Sequence, residues 1–131
     1  MERAEVERWI NGYRKAWASD ERSDIEDLFT EDAIYSPFPW PREDRHWRGR
    51  DVIVKQWLAH GDSKRPWRFE HQILAVEGDA AVIEGWTDYD PTDEEPLGDA
   101  YANVWLVRFA PDGRAREFVE WWIQRPRPSE A

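Results

Sequence analysis

Residues 99–124 read DAYANVWLVRFAPDGRAREFVEWWIQ. Two runs rich in Val, Phe and Trp flank APDG, where Pro111 and Gly113 suit a turn. As strands they alternate side chains between two faces. Tyr101, Asn103 and Trp105 then share one face of the first strand. Phe118, Glu120 and Trp122 share one face of the second. Ala102, Val104, Leu106, Val119, Trp121 and Ile123 take the opposite faces. Both faces are largely apolar, so the carboxylate of Glu120, between Phe118 and Trp122, is the residue to explain.

Upstream, WRFEHQILAVE (67–77) and AAVIEGWTDY (80–89) are two more strand candidates, joined by the tight-turn pair Gly78-Asp79. The run RFEHQILAVE is not clean on either face. DPTDEEPLG is an acidic loop, and TDEEP within it a solvated charge run. The meander therefore spans residues 67–124.

The N-terminal half is helical. Val6, Trp9, Ile10, Tyr13 and Trp17 recur at 3-4-3-4 spacing, which predicts an amphipathic helix over residues 2–18. Ser23 and Glu26 form a capping-box pattern for a short second helix, with Ile25, Leu28 and Phe29 as its apolar side. DAIYS (32–36) is a short strand candidate. PFPWPREDRHWRG (37–49) reads as an extended irregular loop, because Pro37, Pro39 and Pro41 remove donors and fix φ; it carries Phe38, Trp40 and Trp47. DVIVKQWLAHG (51–61) predicts a third helix with Asp51 at its positive end. Its face is Ile53, Val54, Trp57 and Leu58, with Gly61 at C′.

Composition bounds the function. The 131 residues carry a net charge of −10, which disfavours nucleic acid as a partner. No cysteine is present, which excludes a disulfide scaffold and thiolate chemistry, and no apolar run is long enough to span a bilayer. The charged N-terminus lacks a signal-peptide pattern, so a cytoplasmic location is expected. Ten tryptophans suit either a Trp-rich core or a ligand cavity. Three scattered histidines without ligand spacing argue against a metal site. His60 at a helix C-terminus reads as a dipole partner.

The order of these elements, together with YRKAWASDERSDIEDLFTEDAIY, WRGRDVIVKQWL, VEGDAAVIEGWTDY and YANVWLVRFAPDGRAREFVEWW, resembles the nuclear transport factor 2-like superfamily. SnoaL-like polyketide cyclases and ketosteroid isomerase belong to it. The resemblance implies an α+β, cystatin-like cone: three N-terminal helices packed into a curved antiparallel sheet with an internal pocket. The domain would span residues 1–125, with a flexible tail at 126–131. Tyr13 falls where the isomerase has its oxyanion-hole tyrosine. Ser36 and Pro37 stand where its general base belongs, and Trp105 replaces its second acid, so two of three catalytic groups are missing.

The overlay turns Val82, Glu84, Trp86, Tyr101, Asn103, Trp105, Phe118, Glu120 and Trp122 inward, as does alternation once one inward residue per strand is fixed. Glu120 and Glu84 then become candidate bases about 10 Å apart, counting two interstrand spacings, with Tyr13 as donor. A buried glutamate is equally explained as a satisfied acceptor. His71 is a candidate base if its face is inward. Trp17 and Trp57 complete the expected pocket wall, and Trp40, with Tyr35 and Phe38, would close its mouth. A small, partly apolar molecule is the expected ligand, with no cofactor. Ile83, Ala102, Val104, Leu106, Val119, Trp121 and Ile123 would form an outer face covered by a second copy of the chain.

Overall fold

The computed structural model describes residues 1–40, 45–60 and 66–126. The expected roles of Pro41, of Gly61 and of the tail beyond residue 126 lie outside the described residues. Three helices, α1 (Arg3–Ser19), α2 (Arg22–Glu26) and α3 (Arg50–Ala59), pack on one face of a six-stranded sheet. Its strands are β1 (Phe29–Ser36), β2 (Trp47–Arg48), β3 (Trp67–Glu77), β4 (Ala80–Tyr89), β5 (Asp99–Phe109) and β6 (Ala115–Gln124), in the order β2-β1-β6-β5-β4-β3. The sheet is mixed: β1 runs parallel to β6, and every other pair is antiparallel.

Helix α1 buries Val6, Trp9, Ile10, Tyr13 and Ala16 against the sheet. Burying each large side chain contributes about 1.5–3 kcal/mol. Trp9 is the hub, its ring centroid 5.7 Å from Phe118 and 5.8 Å from Phe109. Its indole N–H donates to the Leu28 carbonyl at 3.0 Å.

Four local expectations are corrected. Helix α2 opens one residue before Ser23, with Glu21 in the N-cap position and no side-chain cap; the capping pair is instead on α1, where the Glu2 N–H donates to the Glu5 carboxylate at 3.3 Å. Phe29 leaves the helix and starts β1, because its ring belongs to the sheet core. Leu58 is exposed, since the three-residue face Ile53, Val54 and Trp57 already fills the contact of α3. The proline loop is not wholly irregular: Trp47 and Arg48 pair with Tyr35 and Ile34.

Strand faces matter most for the site. On β5 and β6 alternation holds, with Asn103, Trp105, Val107 and Phe118 buried. On β4 it is inverted from the expectation. Ala81, Ile83, Gly85 and Thr87 face the helices, and Val82, Glu84 and Trp86 face outward. The cause is Gly85, which gives up its space to a neighbour: a Cβ there would lie 2.5 Å from Cε1 of Phe69. That ring stacks on Trp105 at 4.9 Å and 18°. On β3 a bulge between Ile73 and Ala75 leaves Leu74 unpaired and switches parity mid-strand. This is why its sequence is clean on neither face.

Candidate functional site

The inner face of the sheet, α1, α3 and the segment after β1 enclose a cavity of about 680 Å³. Helix α1 contributes Tyr13 and Trp17, and α3 contributes Trp57 and His60. Tyr35, Pro37 and Phe38 line it from β1 and beyond, with Arg45 and Trp47 ahead of α3. The meander supplies Thr87 and Tyr89, then Tyr101, Asn103 and Trp105, and finally Glu120 and Trp122.

The register builds the floor. Trp105 lies opposite Glu120 on the neighbouring strand, and Asn103 opposite Trp122. The Trp105 indole N–H donates to a Glu120 carboxylate oxygen at 2.8 Å, which fixes the carboxylate in the wall. Behind them Phe118 is fully buried and supports rather than lines the cavity; its ring lies 4.7 Å from Tyr35. Tyr13 packs on Trp105 at 4.5 Å and on Trp57 at 5.0 Å.

The polar groups of the wall are bonded to one another. Thr87 donates to the Asn103 side-chain oxygen at 3.0 Å, and both residues are buried. Tyr101 donates to Asp99 at 3.0 Å, an acceptor that also holds Gln124 at 2.8 Å. Burial pushes the Tyr35 phenol well above its ordinary value of 10. The nearby Tyr13 and Glu120, and a hydrogen bond with Tyr13, push it the same way. Tyr35 therefore keeps its proton and stands next to Tyr13 as a neutral donor.

Besides Phe118 and the outward Val82, four expected site residues are off the cavity wall. Glu84 and Trp86 lie on the outer sheet face, opposite Val104 and Ala102, so the two glutamates do not share a cavity. Ile83, expected outside, is instead in the core. Trp40 is 67% exposed and off the cavity wall, where Phe38 is the last residue of its segment to reach the lining. His71 faces the helices but is clamped by α1, away from the cavity. Its Nε2 is 2.8 Å from Glu7 and its Nδ1 2.7 Å from Arg14. A guanidinium only donates, so Nδ1 accepts and Nε2 carries the proton. His71 ties α1 to β3 and is not a base of this site.

Thr87, Tyr89, Arg45, Trp47 and His60 line the cavity without having been expected there. Thr87 and Tyr89 follow from the true parity of β4. The stack of Trp47 on Tyr35 at 4.5 Å brings in the residues around β2, and no local signal carries that contact. Among the described residues no three His, Asp or Glu side chains gather into a metal site. No described helix is long and apolar enough to cross a membrane.

No protein of curated function matches the sequence. Solved structures of similar fold do. A cystatin-like-fold protein of unknown function from Methylobium petroleophilum PM1 superposes with a TM-score of 0.71 at 19% identity, over 100% of this chain and 84% of that one. A ketosteroid isomerase-like protein from Erwinia carotovora atroseptica SCRI1043 gives 0.66 at 16% identity, over 94% and 96%. An LEH-like epoxide hydrolase of M. tuberculosis gives 0.64 at 15%, over 92% and 84%. At these identities the likeness is one of fold, and it is the fold expected from the order of elements. The sequence model of the SnoaL-like domain matches residues 6–118, from the first buried residue of α1 to Phe118 on β6. The chain thus belongs to the SnoaL-like domain family.

Proposed function

We propose that the cavity binds an apolar, ring-bearing small molecule, aromatic or polycyclic, and that Glu120 acts on it as a cofactor-free base. One observation carries this reading: a carboxylate held in the wall of a cavity of about 680 Å³ whose lining is otherwise mostly aromatic. Cavities of roughly 300–1,000 Å³ with a few convergent polar groups are typical of small-molecule sites.

The step runs as follows. Glu120 takes a proton from a carbon beside a substrate carbonyl, the C–H electron pair becomes the enolate double bond, and the carbonyl oxygen takes the negative charge. Tyr13 donates to that oxygen, with its hydroxyl polarised by the bond to Tyr35. Returning the proton at another carbon is isomerisation; loss of a β-hydroxyl as water, which carries off the proton from Glu120, is dehydration; attack of the enolate on a second carbonyl, whose oxygen then takes that proton, is cyclisation. Trp17, Trp57, Tyr101 and Trp122 supply flat surfaces for the rings. A non-catalytic binder is the second reading, favoured by the Trp105–Glu120 bond, which gives the carboxylate a purely structural use.

2-Tetralone separates the two. The first reading expects binding by calorimetry and faster deuterium exchange at the α-carbons, slowed about 100-fold or more in Glu120→Gln. Binding with equal exchange in both proteins favours the binder. No binding of ring ketones by the wild type overturns both.

A homodimer belongs to the same proposal. Outside the sheet, Val82, Leu106 and Val119 form one row, Glu84, Val104 and Trp121 the next, and Trp86, Ala102 and Ile123 the third. No described helix covers them, and Ile123 is 71% exposed. A second copy of the same face would bury this patch. Sedimentation should give twice the chain mass at micromolar concentration, falling to one chain mass in Trp121→Lys; one mass for the wild type contradicts it. Neither nucleic acid nor a membrane enters this reading, given the net charge of −10. The cysteine-free composition supports a cytoplasmic setting.

A further inference from the structure

The charged side chains of the cavity wall are unevenly placed. Glu120 is half-buried and bonded to Trp105, whereas Arg45 and His60 are exposed at the opening. Two tracks of rings lead outward to them. From Phe118 the first runs through Tyr35 and Trp47 to His60, with centroid separations of 4.7, 4.5 and 6.3 Å. The second runs from Tyr101 through Trp122 to Phe38, at 5.8 and 6.0 Å, and ends with the Arg45 guanidinium 5.1 Å from the Phe38 centroid.

Each track therefore ends in a side chain able to carry positive charge. This is unexpected in a chain with 28 acidic residues against 18 Lys and Arg. Yet Glu120 is the one carboxylate among the described residues of the lining. Among its described residues the opening carries no carboxylate, and a locally cationic patch on an acidic protein attracts anions while the rest of the surface repels them. The ring face under Arg45 holds the guanidinium by a cation–π contact, which reduces the freedom lost when it pairs with a ligand. His60 closes the C-terminal end of α3, its backbone N–H bonded to the Gln56 carbonyl at 3.0 Å.

We propose that the ligand is an amphipathic carboxylic acid. Its ring body lies between the aromatic tracks, and its carboxylate stays at the opening against the Arg45 guanidinium, with the His60 ring beside it. Glu120 inside repels a carboxylate, so the charges at the two ends also fix which way round the molecule enters. The inference rests on the cavity being a ligand site and adds the ligand's charge and orientation.

A matched pair of probes tests it: 2-naphthaleneacetic acid and 2-naphthaleneethanol, titrated by calorimetry at low salt. The acid should bind about tenfold more tightly than the alcohol, the scale of one charge-assisted hydrogen bond at a partly exposed site. Arg45→Gln should weaken the acid far more than the alcohol and so remove most of that preference. Equal binding of both probes, or an Arg45→Gln variant that weakens both alike, overturns the charge inference while leaving the cavity reading intact. Binding of neither probe overturns the cavity reading, and the inference with it.

Discussion

Glu84 on β4 and Glu120 on β6 stand in nearly the same sequence setting. Each sits in an apolar run with a tryptophan two residues on, Trp86 and Trp122. In the fold they face opposite ways. Glu120 lies opposite Trp105 and receives its N–H, while Glu84 lies between Gln72 and Val104 on the outer face. The difference is made by their neighbours. On β6 the inward residue before the glutamate is Phe118, a bulky core side chain. On β4 the inward positions include Gly85, whose missing side chain is filled by Phe69 from the next strand. An inward glycine leaves no mark on a hydrophobic pattern, and the outward Trp86 then reads as core.

The largest effect that could break this comparison is at Gly85 itself. Gly85→Val drives a side chain into the Phe69 ring and should cost about 3 kcal/mol in urea unfolding. If Gly85 faced outward, the same change would be neutral or slightly stabilising, as β-branched residues are on strand surfaces. Next comes Trp105→Phe, which keeps the ring stack but removes the indole N–H from the Glu120 carboxylate. A loss of about 2 kcal/mol is expected, and Glu120→Gln in the same background should recover part of it.

A smaller effect concerns Tyr35. Its folded-state value is raised above the unfolded value of 10, so its contribution is intact below pH 10 and is lost as pH rises further. Stability should fall by up to about 1.4 kcal/mol per pH unit on that limb, and the fall should be smaller in Tyr35→Phe. The smallest is Glu84→Gln, which should alter monomer stability by less than about 0.5 kcal/mol. A change as large as that of Trp105→Phe would place Glu84 in a buried site.

Much of the fold was legible because its signals are local and unbroken. The spacing of Val6, Trp9, Ile10 and Tyr13 defines α1, and residues 67–77, 80–89 and 99–109 are strands with the ends expected of them. The β5–β6 half of the site was legible for the same reason: Tyr101, Asn103, Trp105, Glu120 and Trp122 alternate without interruption. Two strand-level features hid the rest. The bulge at Leu74 reverses parity within β3, and Gly85 conceals the inner face of β4. The opening of the cavity was hidden for a third reason. Arg45 reaches it through Phe38, Trp47 through Tyr35 and His60 through Trp47, contacts that no periodicity encodes.

The opposite placement of the two glutamates is tested most directly by thiol accessibility, since the chain contains no cysteine. Glu120→Cys and Glu84→Cys each introduce one thiol, whose alkylation by iodoacetamide is timed with and without saturating 2-naphthaleneethanol. With the two glutamates on opposite faces, the naphthalene should slow labelling at position 120 at least several-fold and leave position 84 unchanged. Equal protection at both positions, or protection at 84 alone, would contradict it.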